Sequence, residues 1–263
     1  MSPAAAEVKS CCAAVYGSEA IRWLLGDRLH PGGARLTDEL VDALGVGAGA
    51  LVADVGCGAG SSALQAAVRT GCDVVGIDLS PDNVRAARAA AARAGLDGRA
   101  RFEVGDAERL PLADATLDGV LCECALCTFP DKRAAASEIA RVLRPGGVLA
   151  LSDMTADRAR IPDALRSLDA RIACIGDARS LDELEALLTS SGLTVEHRER
   201  RDDALAALVD RAESRLRFAR AAGATMPAAL AGAVERGLAI AAAAREAIAE
   251  TALGYAVLIA RRA

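Results

Sequence analysis

The chain has 263 residues, a net charge of −5, 52% hydrophobic residues and only 2% aromatic residues. This length is sufficient for one large domain with a sizeable core, which must be built mainly from small aliphatic side chains. Because no segment is rich in lysine or arginine, the composition argues against a nucleic-acid partner.

The same survey predicts the cellular setting. No uncharged apolar run is long enough to cross a membrane, and the first residues lack the basic start and apolar core of a secretory signal. We therefore expect a cytoplasmic protein with no membrane partner. In that compartment the eight cysteines are expected to be thiols rather than disulfides.

Residues 1–45 precede the first predicted strand and are interpreted as an N-terminal helical lid. Residues 7–25 have helical spacing, and Thr37 is a candidate cap for a second, short helix. Tyr16 and Trp23 are candidates for closing the lid over a ligand.

A glycine-rich segment, residues 54–60 (DVGCGAG), follows the apolar run 50–53 and precedes a predicted helix at 61–69. Glycines let the backbone approach a ligand closely, and the start of a helix offers free N–H groups. A buried strand, a glycine turn and a helix start therefore predict a site for a nucleotide-like ligand.

The glycine segment fits two cofactor patterns. The dinucleotide pattern G-x-G-x-x-G/A runs from Gly58 through Gly60 to Ala63. The pattern D-x-G-x-G-x-G is filled by Asp54, Gly56, Gly58 and Gly60. The second run resembles motif I of the class I S-adenosylmethionine (SAM)-dependent methyltransferases. Asp78 suits both patterns, because both cofactors carry a ribose diol.

Three later segments resemble the same family and occur in its order: 104–111 (VGDAERLP), 117–121 (LDGVL) and 141–149 (RVLRPGGVL). The resemblance implies SAM as cofactor and an α/β, Rossmann-like fold with a seven-stranded, mostly parallel sheet. Independently of the resemblance, short apolar runs alternate with helical stretches, which favours βαβ units.

The resemblance also implies a set of cofactor-binding residues at the ends of the strands. Asp78 is expected to bind the ribose hydroxyls, and Asp106 is expected to lie beside the adenine. The full set is Asp54, Gly56, Gly58, Gly60, Asp78, Leu79, Asp106, Ala107 and Cys122.

The predicted SAM-binding core covers residues 46–158. Residues 159–263 are expected to supply substrate-side helices and the closing strands of the same domain. The predicted elements there are helices at 162–174 and 181–191, a strand at 193–198, helices at 203–221 and 227–250, and a last strand at 254–260. The two long helices would form a helical insertion before the last strand.

Cys122, Cys124 and Cys127 cluster at the end of the predicted fourth strand. Free cysteines are often plain core residues. Thiolates also select soft ions and metalloids, so the cluster could face a soft substrate. A structural zinc site is a further alternative, although no second clean pair of cysteines accompanies this one.

A second resemblance concerns the segments around Cys124. This residue is followed by the Pro-Asp-Lys at 130–132, by RVLRPGG at 141–147 and by the Ser-Asp at 152–153. This order is similar to that of the arsenite methyltransferases. The resemblance implies that Cys124 and Cys174 hold trivalent arsenic. The Cys-rich cluster is also similar to that of an uncharacterised bacterial methyltransferase group, which leaves the acceptor open.

The predicted catalytic residues are Cys124, Cys174 and Glu123, and the predicted substrate-binding residues are Cys11, Cys12, Tyr16 and Cys127. Thiolate-bound trivalent arsenic carries a lone pair and needs no general base. Glu123 could act as base for an oxygen or nitrogen acceptor. The two histidines, His30 and His197, lie outside the motifs and are interpreted as structural or surface residues.

Several functions therefore stay open. The favoured one is methyl transfer to a metalloid, free or as a thiol conjugate. The alternatives are a small-molecule O-, N- or C-methyltransferase with structural cysteines, and a thiol-based metal-binding protein on a methyltransferase fold.

Overall fold

The computed structural model describes residues 23–25, 30–166, 175, 177–222 and 228–263. Seven strands form one sheet in the order β3-β2-β1-β4-β5-β7-β6. The strands are β1 Leu51–Val55, β2 Asp73–Asp78, β3 Ala100–Val104, β4 Leu117–Glu123, β5 Leu143–Ala156, β6 Leu193–Arg200 and β7 Leu253–Arg262. Only β7 runs antiparallel to its neighbours, β5 and β6. The predicted fold class is confirmed.

Seven helices of the described chain accompany the sheet. They are α1 Gly33–Ala43, α2 Ser61–Thr70, α3 Pro81–Ala94, α4 Lys132–Val142, α5 Leu181–Ser190, α6 Asp202–Ala222 and α7 Ala228–Ala249. Short 3-10 turns occupy Leu126–Thr128 and Asp163–Arg166. Helices α6 and α7 lie between β6 and β7, so the predicted helical insertion is confirmed.

The sheet is covered on both faces, as the apolar strands require. Along β2, Val74 belongs to one hydrophobic cluster and Val75 to the other, because successive side chains of a strand point to opposite faces. The first cluster includes residues of α1, α2 and α3, and the second includes residues of α4 and α5.

The sheet order places a ligand crevice at its centre. The chain proceeds outward through β1, β2 and β3 on one side and resumes at β4 on the other side of β1. Ligands of open parallel sheets bind at such a switch point, beside the carboxyl ends of the strands. The segments that follow β1, β2, β3 and β4 must therefore form the site.

One local expectation was wrong. Helix α1 begins at Gly33, and its N-cap is Gly32 in a left-handed conformation, so Thr37 lies within the helix instead of capping it. In β5, Leu143 pairs with Leu117 and Val148 with Gly119, so residues 144–147 bulge out of the ladder.

Part of the predicted lid and of the substrate-side region cannot be compared. Residues 1–22, 26–29 and 167–174 lie outside the described chain, and they include most of the helix predicted at 7–25 and of the helix predicted at 162–174. Helix α1, in the region predicted as a lid, is joined to α2 by polar contacts such as the paired hydrogen bonds from Arg69 to Asp42. In the part of the chain that is described, no helix is both long and apolar enough to span a membrane.

Candidate active site

A cleft of about 400 Å³ opens at the carboxyl ends of β1, β2 and β4. Its wall brings together nine of the residues predicted as site residues: Asp54, Gly56, Gly58, Asp78, Leu79, Asp106, Ala107, Glu123 and Cys124. Segments that lie up to about 70 residues apart in the sequence therefore meet in one cleft, as the switch-point rule requires.

The glycine segment turns sharply beneath this cleft. Gly56, Gly58 and Gly60 all have positive φ angles, of 78°, 53° and 83°. A Cβ on Gly60 would lie 2.8 Å from the ring of Phe102, whereas a Cβ on Gly58 would meet no atom within 4 Å. Gly60 is thus required by packing, and Gly58 borders open space where a ligand can approach the backbone.

Asp78 ties this turn to the end of β2. Its carboxylate accepts hydrogen bonds from the backbone N–H of Gly58 at 2.8 Å and of Ser80 at 2.8 Å, and from the Asn83 amide at 3.2 Å. A carboxylate has about four lone-pair sites, so Asp78 can still accept hydrogen bonds from a ligand. The arrangement holds a fixed acceptor at the wall of the cleft.

Asp54 occupies the floor of the site. It is 2% exposed, and its carboxylate accepts the N–H of Ala63 in the first turn of α2 at 3.1 Å. Burial, and next the neighbouring charge of Glu123, raise the pKa of Asp54 from 3.8 to about 8. A ligand that brings positive charge to this floor would stabilise the ionised form of Asp54.

Glu123, at the end of β4, is the centre of a buried polar network. Its carboxylate accepts hydrogen bonds from Thr37 at 3.1 and 3.2 Å and from Ser62 at 2.5 Å. The Nε2 atom of His30 lies 3.7 Å from the same carboxylate. The network joins the N-terminal region, α1, α2 and β4, and Glu123 is its only member that was predicted as a site residue.

The two histidines lie in different surroundings. His30 is 7% exposed and lines the cleft, whereas His197 lies on the exposed part of β6. The Nδ1 atom of His30 is 3.1 Å from the carbonyl of Pro31, while Nε2 is buried without a hydrogen-bond partner among the described residues. With the proton on Nδ1, Nε2 presents a lone pair beside Glu123.

The three cysteines of the cluster have different surroundings. Cys122 is fully buried in the apolar cluster that includes residues of α4 and does not line the cleft, and burial raises the pKa of its thiol well above the usual range. Cys124 lines the cleft and has a positive φ of 51°, and Cys127 lies in the following 3-10 turn. The ligand atoms of Cys124, Cys127 and Asp153 lie within 4.8 Å of one another.

The other predicted substrate residues cannot be placed. Cys11, Cys12, Tyr16 and Cys174 all lie outside the described residues. Near the last of them, Asp177 is described, and its carboxylate pairs with the buried Lys132 ammonium at 2.5 Å.

A methyltransferase-domain family model matches residues 53–151. The methyltransferase GfsG of Streptomyces halstedii is 36% identical over 64% of this chain and 61% of its own length. The O-methyltransferase cnsE of Penicillium expansum is 34% identical over 68% of this chain and 69% of its own length. The arsenite methyltransferase of Halobacterium salinarum is 32% identical, over 55% of this chain and 37% of its own length.

These relatives support the broad family and not the arsenite subfamily, because several of the stronger matches are O-methyltransferases. The chain spans 60–61% of the length of four of the curated relatives it matches.

The solved structures support the fold. The cyclopropane synthase MmaA2 of Mycobacterium tuberculosis superposes with a TM-score of 0.81 over 97% of this chain and 98% of that chain, at 16% identity. Together with the cnsE match and the motif at Asp54–Gly60, this places the protein: the chain belongs to the class I SAM-dependent methyltransferases.

Proposed function

We propose that this chain is a SAM-dependent methyltransferase that acts on a small molecule. The observation that carries the proposal is the position of Asp78, which meets the glycine turn at the wall of a cleft at the switch point of the sheet. A nucleoside with a ribose diol requires such an acceptor beside an open backbone.

The residues that line the cleft fit the parts of SAM. Asp78 would accept the ribose hydroxyls, and Gly58 leaves room for close approach of the ligand. Asp106 and Ala107, with Leu79, form the part of the wall where an adenine would lie. Asp54 supplies a buried carboxyl group for a ligand that carries an ammonium and a sulfonium group, since buried charges are stable only when they are paired.

SAM supplies an electrophilic methyl group, and the protein has to orient the acceptor toward it and keep water away. Orientation of this kind can lower a barrier by several kcal/mol, about 7–11 in favourable cases. The lid predicted over residues 1–45 would serve the second task, because closure over a cleft excludes water. His30, at the described end of that region, already forms part of the wall.

For the acceptor, we propose first a soft, thiol-bound centre such as trivalent arsenic. Cys124 lines the cleft, and its sulfur lies within 4.8 Å of the Cys127 sulfur. Thiolates select such centres. Cys174 remains the predicted second thiolate of this acceptor site, and Cys11 and Cys12 remain candidates for a third.

A hydroxyl-bearing small molecule is the second candidate acceptor. The Nε2 lone pair of His30 and the Glu123 carboxylate lie 3.7 Å apart, and either could accept the proton of a substrate hydroxyl group. A base within hydrogen-bond reach of the acceptor proton is what O-methyl transfer requires. The O-methyltransferases among the relatives support this candidate.

One assay with two arms tests these proposals. The reduced, full-length protein is incubated with methyl-labelled SAM and either trivalent arsenic with glutathione or a panel of hydroxylated small molecules. Label in methylated arsenic that is lost in Cys124→Ser, and kept in the control Cys72→Ser, would support the soft acceptor. Label in a methyl ether that is lost in His30→Gln, and kept in His197→Gln, would support the hydroxyl acceptor.

Transfer in neither arm, together with no binding of SAM, would contradict the methyltransferase proposal itself. Tight SAM binding without transfer to arsenic would reject arsenic alone as the acceptor.

A further inference from the structure

The loop after β4 and the middle of β5 bring two thiols and a carboxylate together. The sulfur atoms of Cys124 and Cys127 and a carboxylate oxygen of Asp153 all lie within 4.8 Å of one another. We propose that these three residues bind a thiophilic divalent cation of the Zn²⁺ type, with the open side of the site toward the cleft. The inference goes beyond methyl transfer and does not depend on SAM.

The spacing of the two cysteines suits a metal ion. Cys124 and Cys127 form a C-x2-C unit, a common unit of zinc sites. The sequence offered no second cysteine pair to complete the site, and the fold instead supplies Asp153 from β5, the strand beside β4. Carboxylate oxygens are ordinary zinc ligands.

The backbone at Cys124 is held in an unfavourable conformation. Its φ of 51° lies in the left-handed region that non-glycine residues seldom adopt, and its N–H donates to the carbonyl of Ser152 at 2.7 Å. Such strain, of order 1–3 kcal/mol, is found mainly at functional sites. At Cys124 the conformation accompanies a thiol that lines the cleft and lies close to Cys127 and Asp153.

Asp153 is oriented by the same loop. It is 1% exposed, and its two oxygens accept the N–H groups of Cys127 at 2.8 Å and of Met154 at 2.7 Å. Hydrogen bonds of this kind orient the ligands of metal sites. The Cys127 backbone is thus joined to the carboxylate that lies beside its own sulfur.

Lys132 fixes the far end of the loop. Its ammonium group is buried and donates to the carbonyls of Cys127 at 3.1 Å and of Phe129 at 3.0 Å. Behind the cluster, the buried Tyr255 hydroxyl donates to the Ser152 side chain at 2.9 Å. The three candidate ligands therefore belong to a supported frame and not to an exposed loop tip.

The donor set selects the class of ion. Two thiolates favour soft or borderline ions over Mg²⁺ and Ca²⁺, which prefer oxygen ligands, and zinc commonly binds three protein ligands with one position open. Two thiolates and a carboxylate in this space would repel one another, and a divalent cation would offset that repulsion. Because Cys124 lines the cleft, the open position would face it. Trivalent arsenic shares the affinity for thiols, so the experiment has to separate it from zinc.

The test uses Co²⁺ as a spectroscopic probe for the Zn²⁺ site. The reduced, full-length protein is titrated with Co²⁺ without oxygen, and thiolate-to-cobalt charge-transfer absorption is measured before and after displacement by Zn²⁺. We expect the protein to bind about one equivalent of Co²⁺. The affinity for Co²⁺ should fall more than about 100-fold in Cys127→Ala, because even the loss of a residue that only supports a metal ligand costs about 10–100-fold. The matched control is Cys72→Ala, which removes a buried thiol outside the cluster.

Asp153→Asn provides a second variant, expected to weaken the Co²⁺ affinity while keeping the charge-transfer band. Equal binding of Co²⁺ by the wild type and Cys127→Ala, or the absence of a thiolate-to-cobalt charge-transfer band, would overturn the proposed metal site. Arsenite that occupies the Cys127-dependent site when Zn²⁺ does not would overturn the assignment to zinc. SAM titration of the same samples separates a failed metal site from a failed methyltransferase proposal, because the two readouts are independent.

Discussion

The two halves of the cleft are built differently. The proposed cofactor half is formed by the carboxyl ends of β1 and β2 and by the segment after β3, with Asp54, Asp78 and Asp106 as its carboxylates. The proposed acceptor half is formed by His30 and the segment 123–128, to which Thr37 and Asp153 are hydrogen-bonded. In the cofactor half each functional group lies in a short motif next to a strand, whereas in the acceptor half the contacts join residues far apart in sequence, such as Thr37 and Glu123.

This difference indicates how the two halves can vary. A cofactor site made of strand ends requires only that the sheet forms, so it is common to the whole fold. An acceptor site made of distant side chains depends on the lid and on individual loops, which can change without altering the sheet. We therefore expect substitutions in the two halves to affect different measurements.

The largest effect is expected where the two halves touch. A Cβ on Gly56 would lie 2.5 Å from the Cβ of Ala125, and its φ of 78° disfavours any side chain. Gly56→Ala should lower the free energy of unfolding by about 2–4 kcal/mol, the sum of overpacking and a left-handed backbone. Gly58→Ala is the matched control, since its Cβ meets no atom within 4 Å and should cost only about 1 kcal/mol. Equal urea midpoints for the two variants would contradict the contact.

A pH-dependent effect is expected from Asp54 in the cofactor half. Because burial raises its pKa in the folded state from 3.8 to about 8, the folded protein binds more protons than the unfolded chain between these values. The stabilisation that comes from the protonated carboxyl is complete at low pH and is lost as the pH rises to about 8, by up to about 1.4 kcal/mol per pH unit.

Asp54→Asn should remove this dependence of the free energy of unfolding on pH. Between pH 5 and pH 8 the wild type should therefore lose stability relative to Asp54→Asn. Urea unfolding over this range measures the effect, with the exposed Asp203→Asn as control. Parallel stability curves for Asp54→Asn and the wild type would show that Asp54 does not titrate in this way.

A smaller effect is expected from Thr37 in the acceptor half. Thr37→Val keeps the shape of the side chain but removes the hydroxyl that donates to the buried Glu123 carboxylate. The free energy of unfolding should fall by about 1–3 kcal/mol, the cost of leaving a buried polar group without this hydrogen bond. SAM affinity should stay unchanged within error, as it should in the exposed control Thr194→Val. A loss of SAM affinity in Thr37→Val would show that the two halves are not separable.

The sequence predicted which residues meet in the proposed cofactor half because the signals there are local. Asp78 could be identified from its distance to the glycine segment, and the structure places it on the Gly58 N–H. The helices of the insertion were also predicted closely, at 203–221 and 227–250 against Asp202–Ala222 and Ala228–Ala249, because long alanine-rich segments favour helix strongly.

The acceptor half was predicted only in part because its contacts are not local. Ser62 and Thr37 contact Glu123 although they lie 61 and 86 residues away in the sequence, and no periodic sequence pattern predicts contacts of this kind. Asp153 was noted within the Ser-Asp pair at 152–153 and not as a partner of Cys127. His30 was taken for a structural or surface residue because a lone histidine outside a motif carries no sign of where it will lie.

The most direct test of the account is the binding of SAM to a matched pair of variants. Asp78→Ala removes the proposed acceptor of the ribose hydroxyls, whereas Asp82→Ala removes an exposed carboxylate on α3, four residues away. Calorimetric titration should show SAM binding about 100-fold weaker in Asp78→Ala, as expected for the loss of one or two hydrogen bonds to a charged group, and unchanged in Asp82→Ala. Asp78→Asn, which keeps an acceptor for the Gly58 N–H, should lie between them. Equal SAM affinity in wild type and Asp78→Ala would contradict the cofactor site.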